Sequence, residues 1–401
     1  MLVRRSSSLA ILPSLAVLGL LWACTSGSDA GAPSSPGGTS PAPVTSVTTT
    51  TVPTTTTTAP PPREFTVAAT GDLLIHAPVA ARAATGGGGH DFMPLLAPVA
   101  PLIGAADLAI CHLETPMASP GGRLSYYPVF RVPGDLAAAI AATGWDRCST
   151  ASNHSLDGGA EAVRTTLDLL DAAGVGHTGT ARTQAEADQL RPFDVAGVQV
   201  GHLSYTYGFN GFVLPAEAPW LAERLDPATV LADATALRRA GAEFVVVSLH
   251  WGVENVVAPT SEQTEVGHQL LASPDIDLVL GHHAHVVQPV ERVGHEFLVY
   301  GMGNFLSNQS ASCCPAATQD GVIVEATVTE QTGGRFSVTA LEAVPTFVER
   351  GTYRVLPVGP ALADPTTSAE LRAALQASWD RSTATLNSLT PDLVPPVSGT
   401  A

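Results

Sequence analysis

The chain has 401 residues, enough for one large domain or two small ones, and its 45% apolar content supports a sizeable core. A formal net charge of −17 excludes nucleic acid as a partner, because a phosphate backbone is met by a basic stripe. The same charge repels polyanions, so an anionic substrate needs a locally positive site, for which a metal ion is one solution.

At the N-terminus, Arg4 and Arg5 precede an apolar run over residues 9–23. The run is short for a membrane span and has the layout of a secretory signal. It ends in Leu21-Trp22-Ala23-Cys24, and a Cys directly after a small residue resembles a lipoprotein signal. A signal peptide over residues 1–23, lipidation of Cys24 and an extracytoplasmic domain anchored to the outer face of the cell membrane are expected. An ordinary signal peptide cut nearby and an uncleaved anchor are the competing readings. Residues 25–63, rich in Thr, Pro and Ser, cannot bury enough surface to fold and read as a disordered tether. Four further cysteines follow, without zinc-type spacing. Cys111 and Cys148, at the ends of neighbouring strands, are either bridged or buried, and Cys313-Cys314 falls in a loop.

From Phe65 onward, short apolar runs alternate with helical stretches. Strands are predicted over 65–70, 108–111, 145–150, 199–204, 244–249, 276–280 and 297–300, and helices over 159–173 and 227–240. This alternation predicts βαβ units in one mainly parallel sheet. After Gly321 the pattern changes to a hairpin, 322–329 and 336–341 around Gly333-Gly334. A helix is predicted over 368–379 in a peripheral C-terminal segment.

The unusual polar residues follow the predicted strands: Asp72 the first, His112 and Glu114 the second, Asn153, His154 and Asp157 the third. His250 and Glu254 follow the fifth, His283 and His285 the sixth, and Asn304 the seventh. Ligands of open α/β sheets bind at this edge. Singly, each has an ordinary reading: Asp72 as a cap, Asn153-His154 as a loop hydrogen-bond pair, His250 as a satisfied buried ring. His283 and His285, two apart, face the same way if the backbone is extended. Together they form an oxygen and imidazole donor set without thiolate. Such a set suits one or two divalent ions (Mn, Fe, Zn or Mg), and two are a known device for hydrolysis.

With these residues in place, the chain resembles the CapA family of poly-γ-glutamate capsule proteins, which has a calcineurin-like metallophosphoesterase fold. The matching blocks are Gly71-Asp72-Leu73, Leu113-Glu114-Thr115-Pro116, Asn153-His154-Ser155-Leu156-Asp157-Gly158-Gly159 and His250-Trp251-Gly252-Val253-Glu254. Gly281-His282-His283-Ala284-His285-Val286-Val287-Gln288-Pro289 and Tyr300-Gly301-Met302-Gly303-Asn304-Phe305 complete them. The resemblance implies an α/β fold, a four-layer α/β/β/α sandwich with mixed sheets over 64–350, with 351–401 peripheral. It implies Asp72, Glu114, Asn153, His250, His283 and His285 as metal ligands. His154 and Asp157 would be the catalytic residues, His154 as the proton donor, and Glu254, Gln288 and Asn304 would contact substrate. Two positions depart from the pattern. Metallophosphoesterases usually end their first strand in Asp-x-His, whereas Leu73-Leu74 follows Asp72 and His76 stands one turn on; His112 occupies a position where the family more often has Asn. The expected function is a part in the synthesis, export or anchoring of an anionic surface polymer such as poly-γ-glutamate. A metal-dependent hydrolase of an amide or phosphoester bond is the first reading, and a non-catalytic, metal-assisted polymer-binding lipoprotein the second.

Overall fold

Residues 61–394 are described by the computed structural model. The expected leader, Cys24 and residues 25–60 of the expected tether lie outside them. No helix among the described residues is long and apolar enough to cross a membrane.

In chain order the strands begin with β1 (Glu64–Leu73), β2 (Leu108–Leu113), β3 (Arg147–Ser149) and β4 (Gly176–Thr178), which run parallel. β5 (Phe193–Val195), β6 (Val198–Thr206), β7 (Phe244–His250), β8 (Leu278–His282), β9 (Val290–Val293) and β10 (Glu296–Val299) build a second sheet, ordered β5-β6-β7-β8-β10-β9. β11 (Asn304–Leu306) returns to pair with β1. β12 (Asp320–Glu330) and β13 (Phe336–Val348) form the predicted hairpin, and β14 (Val355–Pro357) adds to its edge. The first sheet is therefore ordered β14-β13-β12-β1-β2-β3-β4.

The single sheet expected from the alternation of elements is two sheets. The reason is visible in β7, whose Phe244-Val245-Val246-Val247 is buried throughout. Phe244 and Val246 pack between the sheets with Phe65, Val67 and Ile110 of the first sheet. Val245 and Val247 pack outward under the helices Pro227–Arg239 and Ser261–Leu271. A strand covered on both faces reads as a plain apolar run, and nothing local tells which neighbour it bonds. On the far side of the first sheet, Ala109, Cys111 and Leu113 meet the helices Leu136–Thr143 and Gly159–Ala172. Helix, sheet, sheet and helix thus form four layers. Cys111 and Cys148 stand in register on β2 and β3 and are joined by a disulfide in the outer core, their Cα atoms 4.5 Å apart. The chain after residue 350 continues into the same unit, where Leu375 and Leu386 of the helix Ala369–Leu386 are fully buried.

Two carboxyls at one end of the second sheet give a pH signature. Burial pushes Asp277 up to about 6, and burial together with the neighbouring Asp277 pushes Glu296 up to about 7. The folded state therefore binds more protons than the unfolded chain, whose carboxyls titrate near 4. Stability from this pair is fully present in acid and is lost as pH rises through about 4 to 7. Against the wild type, Glu296→Gln is expected to raise the thermal midpoint more at pH 8 than at pH 5; an equal shift at both pH values would refute the assignment.

Candidate metal centre

Period-2 alternation carries polar side chains to one end of the inter-sheet layer. On β2, Leu108 and Ile110 face the inner core and His112 continues their stripe. On β7, Ser248 and His250 continue the stripe of Phe244 and Val246, and on β8, His282 continues that of Leu278 and Leu280. β1 needs a correction to join them, because Phe65, Val67 and Ala69 face inward and strict alternation would turn Asp72 out. Its register shifts between Ala69 and Asp72, a bulge that re-aims the carboxyl inward and leaves Leu73 in the outer layer. Two glycines permit the close backbone packing here: a Cβ at Gly71 would overlap the Gly303 carbonyl, and one at Gly281 the Tyr300 carbonyl.

Across the seam, Asp72 Oδ1 lies 3.2 Å from His282 Nδ1, and Oδ2 lies 3.2 Å from His285 Nδ1. The His283 backbone N–H donates to the same Oδ2 at 3.2 Å. His285 Nε2 is 3.6 Å from Glu114 Oε1. His112 stacks on His282, with ring centroids 4.0 Å apart. His112 Nε2 stands 2.9 Å from His250 Nδ1, and His250 Nε2 meets Asn153 Oδ1 at 3.0 Å. The ligand atoms of His, Asp and Glu fall into three overlapping sets, each spanning no more than 4.8 Å. These are Asp72, His112 and His282; Asp72, Glu114 and His285; and Glu254, His283 and His285.

All of these residues are buried except Glu254. Burial holds the His112 and His250 rings well below the ordinary imidazole range and takes His283 down to about 3. The three rings are neutral at pH 7, the form that offers a lone pair to a cation. Burial opposes the charge on Asp72, yet the close His282 and His285 rings outweigh it and hold the carboxyl below its usual range. Glu114 has no such donors, and burial raises it well above the carboxylate range. His285 is opposed by burial too, but the Glu114 and Asp72 charges lift it to about 9.

Both Glu114 oxygens, Asp72 Oδ1, both His282 nitrogens and His283 Nδ1 are buried without a hydrogen-bond partner. Orphaned polar groups of this kind cost roughly 1–3 kcal/mol each, and more when charged. A divalent cation would satisfy carboxylates and imidazoles together. Two ligands of one ion, each about 2.1 Å from it, stand about 3–3.5 Å apart. The Asp72–His282 and Asn153–His250 pairs already have that spacing.

Beside the centre, His154 Nδ1 bonds Asp157 Oδ2 at 2.8 Å, and the Phe130 N–H donates to the same oxygen at 2.6 Å. The Phe130 ring meets the imidazole edge-on at 4.7 Å. Asn210 receives the Asn153 amide at 3.3 Å and lies 3.5 Å from His154. Tyr207 lies against His283, with ring centroids 4.6 Å apart.

The model of bacterial capsule synthesis protein PGA_cap matches residues 66–309 of this sequence. The chain belongs to the PGA_cap family. Among its relatives, PGA biosynthesis protein CapA of Bacillus subtilis is 26% identical over 211 residues, 51% of this chain and 54% of that protein. Capsule biosynthesis protein CapA of Bacillus anthracis is 25% identical over 228 residues, 56% of this chain and 52% of that protein. A probable polyglutamine synthesis accessory protein of Mycobacterium tuberculosis is 29% identical over 221 residues, 51% of this chain and 56% of that protein. The chain therefore spans about half the length of the curated relatives it matches. Among solved structures, a putative 5'-nucleotidase of Staphylococcus aureus aligns at 15% identity and a TM-score of 0.46, over 79% of this chain and 58% of that one. The calcineurin-like phosphoesterase YfkN of Bacillus subtilis aligns at 13% and 0.42, over 80% of this chain and 99% of that one.

In this PGA_cap protein, Asp72, Glu114, His283, His285 and Glu254 converge directly, and Asn153 and His250 stand beside them through His112. His154 and Asp157 form a flanking pair. Asn304 and Gln288 lie behind the centre. Asn304 Oδ1 is 3.1 Å from His285 Nδ1, while its amide donates to the Thr318 carbonyl at 2.9 Å and to Gln309 Oε1 at 3.0 Å. Gln288 accepts from Gln263 at 2.8 Å and donates to the Val256 carbonyl at 2.9 Å, which fixes the loop that carries Glu254. The backbone at His283 and His285 is a tight turn and not extended, with φ of 83° and 56°. His76 turns Nδ1 toward the Leu74 carbonyl at 3.2 Å and joins none of the three sets. His282, Tyr207 and Asn210 were not singled out from the sequence. His282 was legible as the next inward position after Leu278 and Leu280. Tyr207 and Asn210 follow β6, and neither residue type marks a metal site in sequence.

The full chain is expected to bind at least one divalent transition ion, measured by metal analysis and calorimetric titration. A hundredfold excess over Kd should raise stability by about 2.7 kcal/mol. Glu114→Gln removes a ligand, and Asn304→Ala releases His285, which should weaken binding by about 10–100-fold. Absence of any bound ion after reconstitution would sink the assignment.

Proposed function

We propose that this protein is a metal-dependent hydrolase of the cell envelope, acting on an amide or phosphoester bond in an anionic surface polymer of the poly-γ-glutamate type. The observation that carries this reading is a buried set of orphaned carboxylate and imidazole atoms beside a separate His154–Asp157 pair. A capsule role accords with the names of the relatives. An extracytoplasmic domain, tethered through a lipidated Cys24, is part of the same proposal and would give it access to such a polymer.

Asp72, Glu114, His282, His283 and His285, with Asn153 and His250, would hold the ions. When bound, divalent ions supply a Lewis acid and lower the pKa of a coordinated water toward neutrality. The protein's own contributions follow from its geometry. Asp157 accepts the Nδ1–H of His154, which fixes the ring and, when Nε2 is also protonated, lets Nε2 hand that proton to a leaving group. Asn210 links His154 to Asn153 and so sets the donor's position relative to the centre. Ser149, His112, His250 and Asn153 stand in one line of polar contacts, 2.8, 2.9 and 3.0 Å apart, through which His112 positions the neutral His250 ring beside the Asn153 oxygen.

A non-catalytic binding role has one observation in its favour. β1 contributes Asp72 without the usual nearby histidine, and His76 is committed to backbone. Incubating metal-loaded full-length protein with poly-γ-glutamate and with phosphodiester substrates decides between the two. Hydrolysis should fall by about 10²–10⁴ in His154→Ala and be lost in Glu114→Gln. Polymer binding without turnover in the wild type would overturn the hydrolase reading.

A further inference from the structure

A cavity of about 530 Å³ opens on the flank of β3, β4 and β6 and shares no lining residue with the metal centre. Its floor is Arg147, the first residue of β3. The facing β4 residue is Gly176, where a Cβ would collide with the guanidinium. Arg147 uses that space to stack on Phe193, 4.1 Å from the ring centroid, and to donate to the His177 carbonyl at 3.2 Å. Its Nε is buried without a partner, and Arg147 forms no ion pair among the described residues. By contrast Arg182, nearby, is saturated by Asp168, Asp171 and Glu186.

His202 also lines this cavity. His202 of β6 is only 5% exposed, and its Nε2 meets Ser248 Oγ at 3.0 Å. A Ser248 hydroxyl donating to Nε2 leaves Nδ1–H as a donor, and Nδ1 is buried without a partner. The opposite wall is acidic. Glu223 is half-buried, and its charged neighbours are the carboxylates Asp233 and Asp188. Asp233 accepts the Tyr205 hydroxyl at 2.8 Å. Burial moves Glu223 up to about 7 and Arg147 down to about 10, the directions of charges short of counter-ions.

One cavity thus holds a cation and an anion that do not reach each other. We propose that it binds an α-amino-acid zwitterion, whose carboxylate is met by Arg147 and His202 and whose ammonium is met by Glu223 and Asp233. A guanidinium suits a carboxylate through paired donors, and the volume suits a ligand of amino-acid to short-peptide size. This site is independent of the hydrolase reading.

The test is calorimetric titration of the full chain, in EDTA, with L-alanine, L-glutamate and D-glutamate, beside glutarate (no ammonium) and n-propylamine (no carboxylate). At least one amino acid should bind and neither control should. Arg147→Gln and Glu223→Gln should each weaken binding by about tenfold or more, and Arg147→Lys should restore part of the loss. Glu114→Gln should leave it unchanged, which separates this cavity from carboxylate capture at the metal centre. Circular dichroism and thermal midpoints check folding, and the half-exposed Glu223 position keeps the test decisive if Arg147→Gln unfolds. Binding of none of the three amino acids, binding that survives both substitutions, or binding lost with Glu114→Gln would each overturn the proposal.

Discussion

The Asp72 carboxylate ties the two sheets together at their polar end. It belongs to β1 of the first sheet, yet the groups that meet it, His282, the His283 N–H and His285, come from β8 and the turn after it in the second. The contacts at Oδ2, from the His283 N–H and His285, are of a kind that contributes about 1.5–3 kcal/mol each when well aligned, against a desolvation cost of several kcal/mol for the buried charge. The balance holds only if the whole constellation is present. A bulge must turn Asp72 inward, and Gly71 and Gly281 must let neighbouring backbones approach.

Around this point the inter-sheet layer changes character along its length. Leu108, Ile110, Val246 and Leu278 fill its middle, and His112, His250 and His282 continue the same stripes at its end. A polar layer that grows out of a packed core is held rigidly. Asn304 and the Gln263–Gln288 pair brace it from behind. Tyr127, Tyr207, Phe212 and Val253 are exposed, whereas the donor set, Glu254 apart, is buried.

Sequence patterns went far toward this picture where the physics is local. The hairpin over β12 and β13 was legible because Gly333 and Gly334 supply positive φ, 102° and 81°, between two alternating runs. The helix Gly159–Ala172 was legible from helical spacing, which buries Val163, Leu167 and Leu170. The short strands β4, β9, β11 and β14, at three or four residues each, carry too little pattern to announce themselves. Gln288 and Asn304 looked like site residues by position alone, and only the packing shows their polar ends turned to the backbone and to His285.

The sequence by itself determined that polar groups gather at strand ends and that a buried α/β core lies behind them, since residue type and period-2 or helical spacing are local properties. Tertiary structure decided which strands bond in which sheet, because fully buried strands look alike whatever their neighbours. It decided that Asp72 turns inward, because one bulge inverts the alternation. It also decided that His282 joins Asp72 and His112, because two residues 210 apart in sequence meet only when the two sheets close on each other.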